Sequence, residues 1–478
     1  MYDILIIGAG TAGMACAITA AQQGVKVGVI EKADHIGGAL HWSGGHMSAG
    51  GTRRQKAMGI EDSPSKHYDD IVDLNEGTGD LDLIRLAVEE APHTIDWLDD
   101  LGFEFAPECP RIIYGHIPYN AARTHYGVDK AMSIYKVLKP LWDEQVERGK
   151  LDCFLLHTLI GIEAIEGRFE QVRVMTEEGE RTFTGQSIVL TTGGYGSDPD
   201  YFAAKHPGVP LLSSTYPTAT GDGHRVMESI GGGFQFANFH LPSLGGVALS
   251  EGRCNFNEAW AMVLTSIYRQ PREIYVNAQG QRFMAEDESN ADTRERLVMQ
   301  QPDWKFWLIF DESALLERGE NDLENPIMIG WDTARIKAAA EEERFMWKAN
   351  SIARLAQKCG LPSQALQETV VGFNHHIEEG KDSDFGRTYL ENAVRQAPFY
   401  ALEIQASVLV TFGGMKANKQ LQLLDRQGQI MNGLYGAGEF LGLGATSGQA
   451  FCSGMAITPA LSFGRILGRT LAQKKQSK

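Results

Sequence analysis

The sequence predicts an α/β fold whose first unit is a strand, a glycine-rich turn and a helix. An apolar run over 2–7 is typical of a buried parallel strand. A glycine-rich turn over 8–13 follows it, and an alanine-rich helical stretch extends over 14–23. Gly24 ends that helix, and 25–30 forms a second apolar run. This order of elements indicates a Rossmann-like, dinucleotide-binding domain.

Length and composition indicate an ordinary globular protein of more than one domain. The chain has 478 residues, more than one typical hydrophobic core accommodates. Hydrophobic residues make up 43% and charged residues 22%, a balance that excludes a disordered or fibrous chain. The 53 glycines lie in short loops and follow no repeat. They therefore indicate places where the backbone approaches a ligand closely.

Charge and cysteine usage narrow the possible partners. A formal net charge of −17 repels phosphate backbones and anionic lipid, so we expect no nucleic acid and no membrane as partner. The six cysteines include no CxxC pair, which argues against zinc and iron–sulfur sites. The first residues lack the features of a signal peptide, and no apolar run reaches the roughly 18 residues needed to span a bilayer. We therefore expect a cytoplasmic location.

Each residue of the first glycine turn has a physical role. Gly8 permits the tight turn, Gly10 lets the backbone reach a pyrophosphate, and Gly13 lets the helix pack closely on the strand. The helix N-terminus presents N–H groups and a positive dipole end to phosphates. Glu31, at the end of the second apolar run, can accept hydrogen bonds from ribose hydroxyls. The other cofactor contacts that we expect in this segment are Thr11, Ala12 and Lys32.

Two later segments repeat the pattern of a buried strand that runs into a glycine-rich turn. The apolar run 187–190 leads into the turn 191–196, and 433–439 repeats the pattern before a C-terminal helix. In this order, the three segments resemble the flavin-binding segments of the fumarate reductase/succinate dehydrogenase flavoprotein superfamily. The resemblance covers nearly the whole chain. It implies FAD as the cofactor, a choice that the first segment alone leaves open between FAD and NAD.

Shorter motifs extend the resemblance. Residues 37–38 resemble the family's FAD-contacting loop, 123–125 its Arg–Ser/Thr–His segment, and 216–223 its TGDG signature. Residues 239–243 resemble its FHPT motif, and 280–284 its GxRF motif. Cofactor contacts are thereby implied at Gly37, Gly38, Thr192, Gly193, Gly194, Asp222, Gly438 and Glu439.

The resemblance also implies a domain organisation and a place for the chemistry. A discontinuous FAD-binding domain would comprise 1–235 and 398–478, and an α+β capping domain would comprise 236–397. The substrate would lie between the cap and the flavin ring, where hydride passes between flavin N5 and a substrate carbon. His41 and His46 do not fall where the succinate dehydrogenase type attaches its flavin. We therefore predict non-covalent FAD.

Part of the family's catalytic pattern is present. In fumarate reductases, two Arg, two His and a Thr–Glu pair hold a dicarboxylate and deliver a proton. His240 resembles one of these His, and Ser250 with Glu251 resembles the Thr–Glu pair. Arg294 resembles the proton-donating Arg, with Arg296 as an alternative and a surface ion pair with the neighbouring glutamate as a plainer interpretation.

Two positions depart from this pattern. Val410 stands where the second His is expected, and Phe451 stands where an Arg clamps the substrate carboxylate. Burying a carboxylate without a guanidinium partner costs roughly several kcal/mol, so fumarate and succinate are poor candidate substrates.

The C-terminal run 454–464 is similar instead to a segment of the 3-ketosteroid dehydrogenases of the same superfamily. That resemblance implies that the backbone N–H of Gly454 binds a ketone oxygen. The tyrosine partner of that branch is missing, because Ala450 occupies its position. Tyr268, Tyr119 and Tyr126 are possible bases, although buried structural tyrosines are more usual.

Three functional hypotheses remain open at this point. The leading one is an FAD-dependent enzyme that oxidises or reduces a C–C bond beside a carbonyl group in a cyclic or hydrophobic small molecule. The second is a fumarate-reductase-like reductase of an unsaturated carboxylic acid. The third is an electron-transfer flavoprotein subunit. The sequence does not identify the electron donor or acceptor.

Overall fold

A computed structural model describes residues 1–255, 257–261, 269–315 and 327–476. The strands are β1 Tyr2–Ile7, β2 Val27–Ile30, β3 Met47–Ser48, β4 Thr124–His125, β5 Leu151–Phe154, β6 Thr158–Ile165, β7 Arg168–Thr176, β8 Gly179–Leu190, β9 Phe234–Gln235, β10 Ile274–Val276, β11 Lys305–Asp311, β12 Met346–Ala349, β13 Phe399–Gln405, β14 Gly414–Met415, β15 Gln422–Leu424 and β16 Ile430–Gly436. The α-helices are α1 Thr11–Gln22, α2 Arg53–Ala57, α3 Pro64–Leu74, α4 Leu81–Asp100, α5 Met132–Glu147, α6 Pro199–Lys205, α7 Asp222–Ser229, α8 Ala291–Met299, α9 Thr333–Glu342, α10 Ile352–Cys359, α11 Ser363–Glu379, α12 Leu443–Ser447 and α13 Ile457–Gln476.

The main sheet confirms the predicted α/β fold. Its strand order is β15-β16-β8-β1-β2-β5, and the hairpin β6–β7 joins it by pairing β7 with β8. Strands β16, β8, β1, β2 and β5 run parallel, and β15 pairs antiparallel with β16. The three strands β1, β8 and β16 are neighbours, so their carboxyl ends meet at one edge of the sheet. A crevice at that edge is the usual ligand site of open α/β sheets.

Small residues let two helices pack closely beside this sheet. A Cβ atom added to Gly464 of α13 would lie 2.4 Å from the carbonyl oxygen of Ala12 in α1. One added to Gly468 would lie 2.7 Å from the carbonyl oxygen of Cys16. The C-terminal helix therefore returns to the N-terminal unit, which joins the two ends of the chain in one domain.

A second sheet lies in the middle of the sequence. Its order is β10-β11-β13-β12, and all of its pairings are antiparallel. Because β13 is hydrogen-bonded between β11 and β12, residues 399–405 extend this sheet. The sequence analysis placed these residues in the FAD-binding domain by setting the boundary at 397. We propose that the cap comprises 236–405 and that the FAD-binding domain resumes after Gln405. Within the described residues, no helix is both long and apolar enough to cross a membrane.

Candidate active site

The turn between β1 and α1 is packed so tightly at Gly8 and Gly13 that neither position can carry a side chain. A Cβ atom on Gly13 would lie 1.9 Å from the carbonyl oxygen of Gly8, and one on Gly8 would lie 2.4 Å from that of Thr191. A Cβ atom on Gly10 would meet no atom within 4 Å. The turn is therefore closed on its sheet side and open beside the start of α1, as close approach of a pyrophosphate requires.

The donors and acceptors around this turn fit a dinucleotide. Helix α1 begins after Gly10 without a side-chain cap, so its first N–H groups face outward. The Glu31 carboxylate lies at the end of β2, where its oxygens accept hydrogen bonds from the N–H groups of Ala9 (2.7 Å) and Ala33 (2.8 Å). The backbone of Gly37 donates to the carbonyl oxygen of Ala9 at 2.8 Å. The uncapped amides at the start of α1 suit a phosphate, and each Glu31 oxygen keeps a lone pair that a ribose hydroxyl can use.

The other predicted cofactor residues are brought to the same edge. A Cβ atom on Gly38 would lie 3.3 Å from the Cα of Gly10, and one on Gly438 would lie 3.2 Å from the Cβ of Ala12. The ammonium group of Lys32 forms an ion pair with Asp222 at 2.7 Å. The segments with Thr192, Gly193 and Gly194 follow β8 directly, next to β1.

Glu439 holds a neighbouring segment of the chain in place. Its Oε1 accepts hydrogen bonds from the backbone N–H of Thr411 (2.8 Å) and from the hydroxyl of Thr411 (2.9 Å). Burial raises the pKa of Glu439, and the two donors oppose that rise. A Cβ atom on Gly194 would lie 2.1 Å from this oxygen. Glu439 therefore fixes the segment 409–413 against the glycine segments, and direct contact with the cofactor stays a prediction.

An apolar wall stands where the family pattern has charged clamps. Leu241, Phe412 and Leu443 form its buried centre, and Val410 and Phe451 pack against that centre. Val410 and Phe451 are the two departures that the sequence analysis identified, and the structure brings them into one cluster. The apolar wall consists of Phe239, Leu241, Met299, Val410, Phe412, Leu443 and Phe451.

The glycine segment after β16 holds this wall in position. The N–H of Leu443 donates to the carbonyl oxygen of Thr411 at 3.0 Å, and that of Gly444 donates to the carbonyl oxygen of Phe412 at 3.0 Å. A Cβ atom on Gly414 would lie 2.1 Å from the N atom of Gly442. The wall therefore adjoins the predicted flavin-binding edge directly.

His240 lies beside the wall. Its ring meets the ring of His206 edge-on, with centroids 4.5 Å apart. The Nδ1 of His206 is 2.7 Å from the carbonyl oxygen of Ala237, and its Nε2 is 2.8 Å from the hydroxyl of Tyr195. Burial lowers the pKa of both His240 and His206, the latter to about 4. Both rings are therefore neutral at pH 7.

Helix α8 forms the cap side of the site. Asn290 caps its N-terminus by accepting a hydrogen bond from Thr293 N–H, and Met299 at its other end packs on the apolar wall. Arg294 and Glu295 are only 2% and 3% exposed, so they do not form the surface pair of the plainer interpretation. Arg296, the alternative proton donor, instead pairs with Asp292 at the surface at 2.6 Å.

Arg294 and Glu295 face different neighbours. The charge of Arg294 acts on Tyr275 in β10, where it opposes the rise in the pKa of Tyr275 that burial causes. Glu295 faces the loop before β4, with its Oε1 3.6 Å from Nδ1 of His116. Burial raises the pKa of Glu295, and the His116 contact opposes this rise. A proton-donating role for Arg294 stays a prediction.

His116 belongs to the site, although the sequence analysis did not identify it. Its ring stacks on that of Phe451, with centroids 4.0 Å apart and planes 20° apart. On the same side, the rings of His46 and Tyr126 lie 5.2 Å apart. Burial, then the charges of His116 and Arg111, lower the pKa of His46 to about 4. No motif surrounds His116, so only the folded chain relates it to Phe451.

Other predicted residues lie elsewhere. Ser250 and Glu251 are exposed in a turn that the N–H of Arg253 closes by donating to the carbonyl oxygen of Ser250 at 3.1 Å. The guanidinium of Arg253 donates to Ser197 and Thr215. A carboxylate in this turn is solvated and lies outside the apolar wall, which does not support the predicted buried proton relay.

The remaining candidates have structural neighbours. Gly454 has φ +79° and packs on β3, because a Cβ atom there would lie 2.3 Å from the N atom of Ser48. Tyr119 is buried and donates to the carbonyl oxygen of Ser453 at 2.7 Å, and burial raises its pKa. Tyr268 lies outside the described residues. The ketone-binding role of Gly454 stays a prediction.

Comparison with known proteins identifies a family and several relatives of this chain. The family described as FAD binding domain matches residues 3–455. The chain is 28% identical to the fumarate reductase (cytochrome) of Shewanella frigidimarina, over 98% of this chain and 77% of that protein. It is 27% identical to the vinyl phenol reductase of Lactiplantibacillus plantarum, over 99% of this chain and 96% of that protein.

A solved structure supports the fold. The 3-ketosteroid delta1-dehydrogenase of Sterolibacterium denitrificans superposes with a TM-score of 0.78 at 19% identity, over 99% of each chain. The family match covers residues 3–455 and includes all three glycine segments that the structure places at one sheet edge. The chain therefore belongs to the FAD binding domain family and is an FAD-dependent oxidoreductase.

Proposed function

We propose that this enzyme reduces a C–C double bond conjugated to a carbonyl or aryl group in a hydrophobic, planar small molecule, or catalyses the reverse desaturation. The observation that carries the proposal is the apolar wall, with Val410 and Phe451 in place of charged clamps. A wall of this composition favours an apolar ring and disfavours a second carboxylate. When bound, FAD supplies or accepts the two electrons as hydride.

The wall would place the substrate in three ways. Phe451 and the ring of His116 stacked on it offer a flat edge for a planar group. Met299 approaches from the cap, so a closed cap covers the substrate and excludes water. Thr411, fixed by Glu439, holds Val410 and Phe412 in register with the flavin-binding edge.

One relative, the vinyl phenol reductase, supports this substrate class, whereas the name of the fumarate reductase does not. Vinyl phenol, the compound in the name of one relative, is an aromatic alkene without a carboxylate, and that relative spans the same length as this chain. We propose an external electron donor that reduces the flavin between turnovers.

A substrate panel tests the proposal. The flavin is first reduced with dithionite. We expect vinylphenol, cinnamaldehyde or cyclohexenone to reoxidise it at least ~10-fold faster than fumarate does, because burying an unpaired carboxylate costs more than about 1.4 kcal/mol. Flavin absorbance after anaerobic mixing measures this. Reoxidation by fumarate alone would contradict the proposed substrate class.

Removing the aromatic side chain of the wall tests its contribution. We expect Phe451→Ala to raise KM for the hydrophobic substrate roughly 10-fold, because it removes a large apolar contact worth about 1.5–3 kcal/mol. FAD content should be unchanged. Val371→Ala is the matched control, since Val371 is 68% exposed on α11 and should leave KM unchanged. An unchanged KM in Phe451→Ala would show that the substrate lies elsewhere.

A second candidate function is reduction of an unsaturated monocarboxylic acid. It is favoured by Arg294, whose guanidinium is 98% buried on the cap helix that covers the wall. In that case Arg294→Ala should abolish activity while FAD remains bound. Full activity of that variant would remove this candidate.

A further inference from the structure

One side-chain pair connects the cap to the FAD-binding domain beside the apolar wall. Nδ1 of His116, in the loop before β4, faces Oε1 of Glu295 on α8 at 3.6 Å. The same imidazole ring stacks on Phe451 of the wall. Nδ1 of His116 is buried and has no hydrogen-bond partner within the described residues, so Glu295 is its nearest recorded polar neighbour. The ring that contacts Glu295 through Nδ1 therefore also packs on the wall through Phe451, and its second nitrogen, Nε2, is the one left for a substrate.

The reaction proposed above needs a proton as well as a hydride. Hydride addition to the β carbon leaves negative charge on the α carbon and its carbonyl group, and a positioned acid must quench it. Ser250 and Glu251 are too exposed to serve inside a closed site. Tyr119 already donates to the carbonyl oxygen of Ser453, and Tyr126 donates to Glu108.

We propose that His116 is the proton donor of this enzyme and that Glu295 is the positioning residue that orients the imidazole and restores its proton. The inference rests on the proposed function for the substrate and on the described geometry for the residues. It requires the cap to be closed, because Glu295 is supplied by α8 and His116 by the FAD-binding domain.

When bound and reduced by the external donor, FAD would supply hydride to the β carbon, and the two electrons of the C=C π bond would pass to the α carbon. The Nε2–H bond of His116 breaks as its proton forms the new C–H bond at the α carbon. Nδ1 of His116 takes the proton of the Glu295 carboxyl group, which leaves the Nδ1–H imidazole and a Glu295 carboxylate. Solvent then gives a proton to Nε2, and Nδ1 returns its proton to Glu295, so both groups regain their starting state. The imidazole ends the cycle neutral.

The charged neighbours of the pair set its pH dependence. On α8, Asp292 raises the pKa of Glu295 and Arg294 lowers it, both less than burial raises it. In the FAD-binding domain, His46 interacts with the charges of both His116 and Arg111, and the low pKa of His46 keeps that ring neutral at pH 7. The donor pair is active while Glu295 holds its proton. Activity should therefore fall as the pH rises through the pKa of Glu295.

Two variants and a matched control test the proposal. We expect His116→Gln to slow single-turnover reoxidation of the dithionite-reduced flavin by about 100-fold or more, the usual contribution of a general acid. In D2O, the oxidised wild-type enzyme should exchange the α hydrogen of the saturated product for deuterium, and NMR would detect this exchange without net turnover. The His116→Gln variant should not catalyse the exchange. His375→Gln, on the exposed face of α11, should match the wild type in both measurements. FAD content serves as the folding control.

Glu295→Gln gives a readout that a merely structural role would not change. Glutamine does not titrate, so the fall of the wild-type rate at rising pH should disappear in this variant, with KM unchanged. Wild-type rate and exchange in His116→Gln would overturn the proposal. If His116→Gln loses FAD, an unchanged pH profile in Glu295→Gln overturns it instead.

Failure of the proposed function is distinguishable from failure of this inference. If the wild type accepts only fumarate, the substrate class is wrong, and the same comparison of His116→Gln with the wild type on fumarate still tests the proton donor. Loss of activity in Arg294→Ala together with full activity in His116→Gln would assign the proton to Arg294.

Discussion

Gly13→Val is expected to yield a protein that has lost its FAD. A Cβ atom at this position would lie 1.9 Å from the carbonyl oxygen of Gly8 and 2.9 Å from Oγ1 of Thr191. Neither neighbour can give way, because Thr191 Oγ1 donates to the carbonyl oxygens of Ile7 and Gly8 at the junction of β1 and β8. The helix α1 must therefore move away from the sheet and take its N-terminal amides out of reach of the pyrophosphate.

The size of this effect follows from the cost of overpacking. Forcing a side chain into a well-packed region costs about 1–3 kcal/mol, and a displaced phosphate-binding helix loses its N–H contacts in addition. We expect at least ~100-fold weaker FAD binding, measured by flavin fluorescence on titration of the apoprotein. Purified Gly13→Val should be colourless.

Gly372→Ala provides the matched control. Gly372 lies within α11, and a Cβ atom there would meet no atom within 4 Å. Alanine should raise helix stability by up to about 1 kcal/mol and leave FAD binding unchanged. Wild-type FAD affinity in Gly13→Val would show that the turn is not the pyrophosphate site.

The FAD-binding edge was predictable because its signals are local in sequence. The apolar runs over 2–7 and 187–190 form β1 and the end of β8, and each leads directly into its glycine turn. The glycines at 8 and 13 are required by contacts within a few residues or with an adjacent strand. Such a pattern can be recognised in a single sequence because the backbone geometry at these positions accepts only glycine.

The catalytic side of the site was less predictable because its contacts join distant parts of the chain. His116, Glu295 and Phe451 come from a loop, the cap helix and the segment before α13, and no spacing relates them. Ser250 and Glu251 match a motif, yet the cap places that turn at the surface. Burial of a charged stretch depends on which helix face meets the other domain, which local composition does not reveal.

Local sequence also does not reveal which sheet β13 joins. The family resemblance indicated a return to the FAD-binding domain at 398, but residues 399–405 pair with β11 and β12. An apolar strand has the same appearance in either sheet, since partner choice depends on long-range register.

Of the substitutions proposed here, Arg123→Met is expected to lower the free energy of unfolding most. The guanidinium of Arg123, 1% exposed, donates through Nε and Nη2 to both carboxylate oxygens of Asp62 at 3.0 Å, and Nη1 lies 3.0 Å from Asp70. Methionine would leave two carboxylates without this cation, one of them fully buried. Breaking such a buried ion pair costs roughly 3–5 kcal/mol. Urea unfolding of the FAD-bound protein should show the loss.

The surface residue Arg173 is the matched control, because its guanidinium also contacts two carboxylates. Its guanidinium lies 2.8 Å from Glu163 and 2.9 Å from Glu180, but all three side chains are well exposed. Solvent screens exposed ion pairs, so Arg173→Met should cost no more than about 1 kcal/mol. Equal effects of the two substitutions would mean that burial of the Arg123 network does not determine its contribution.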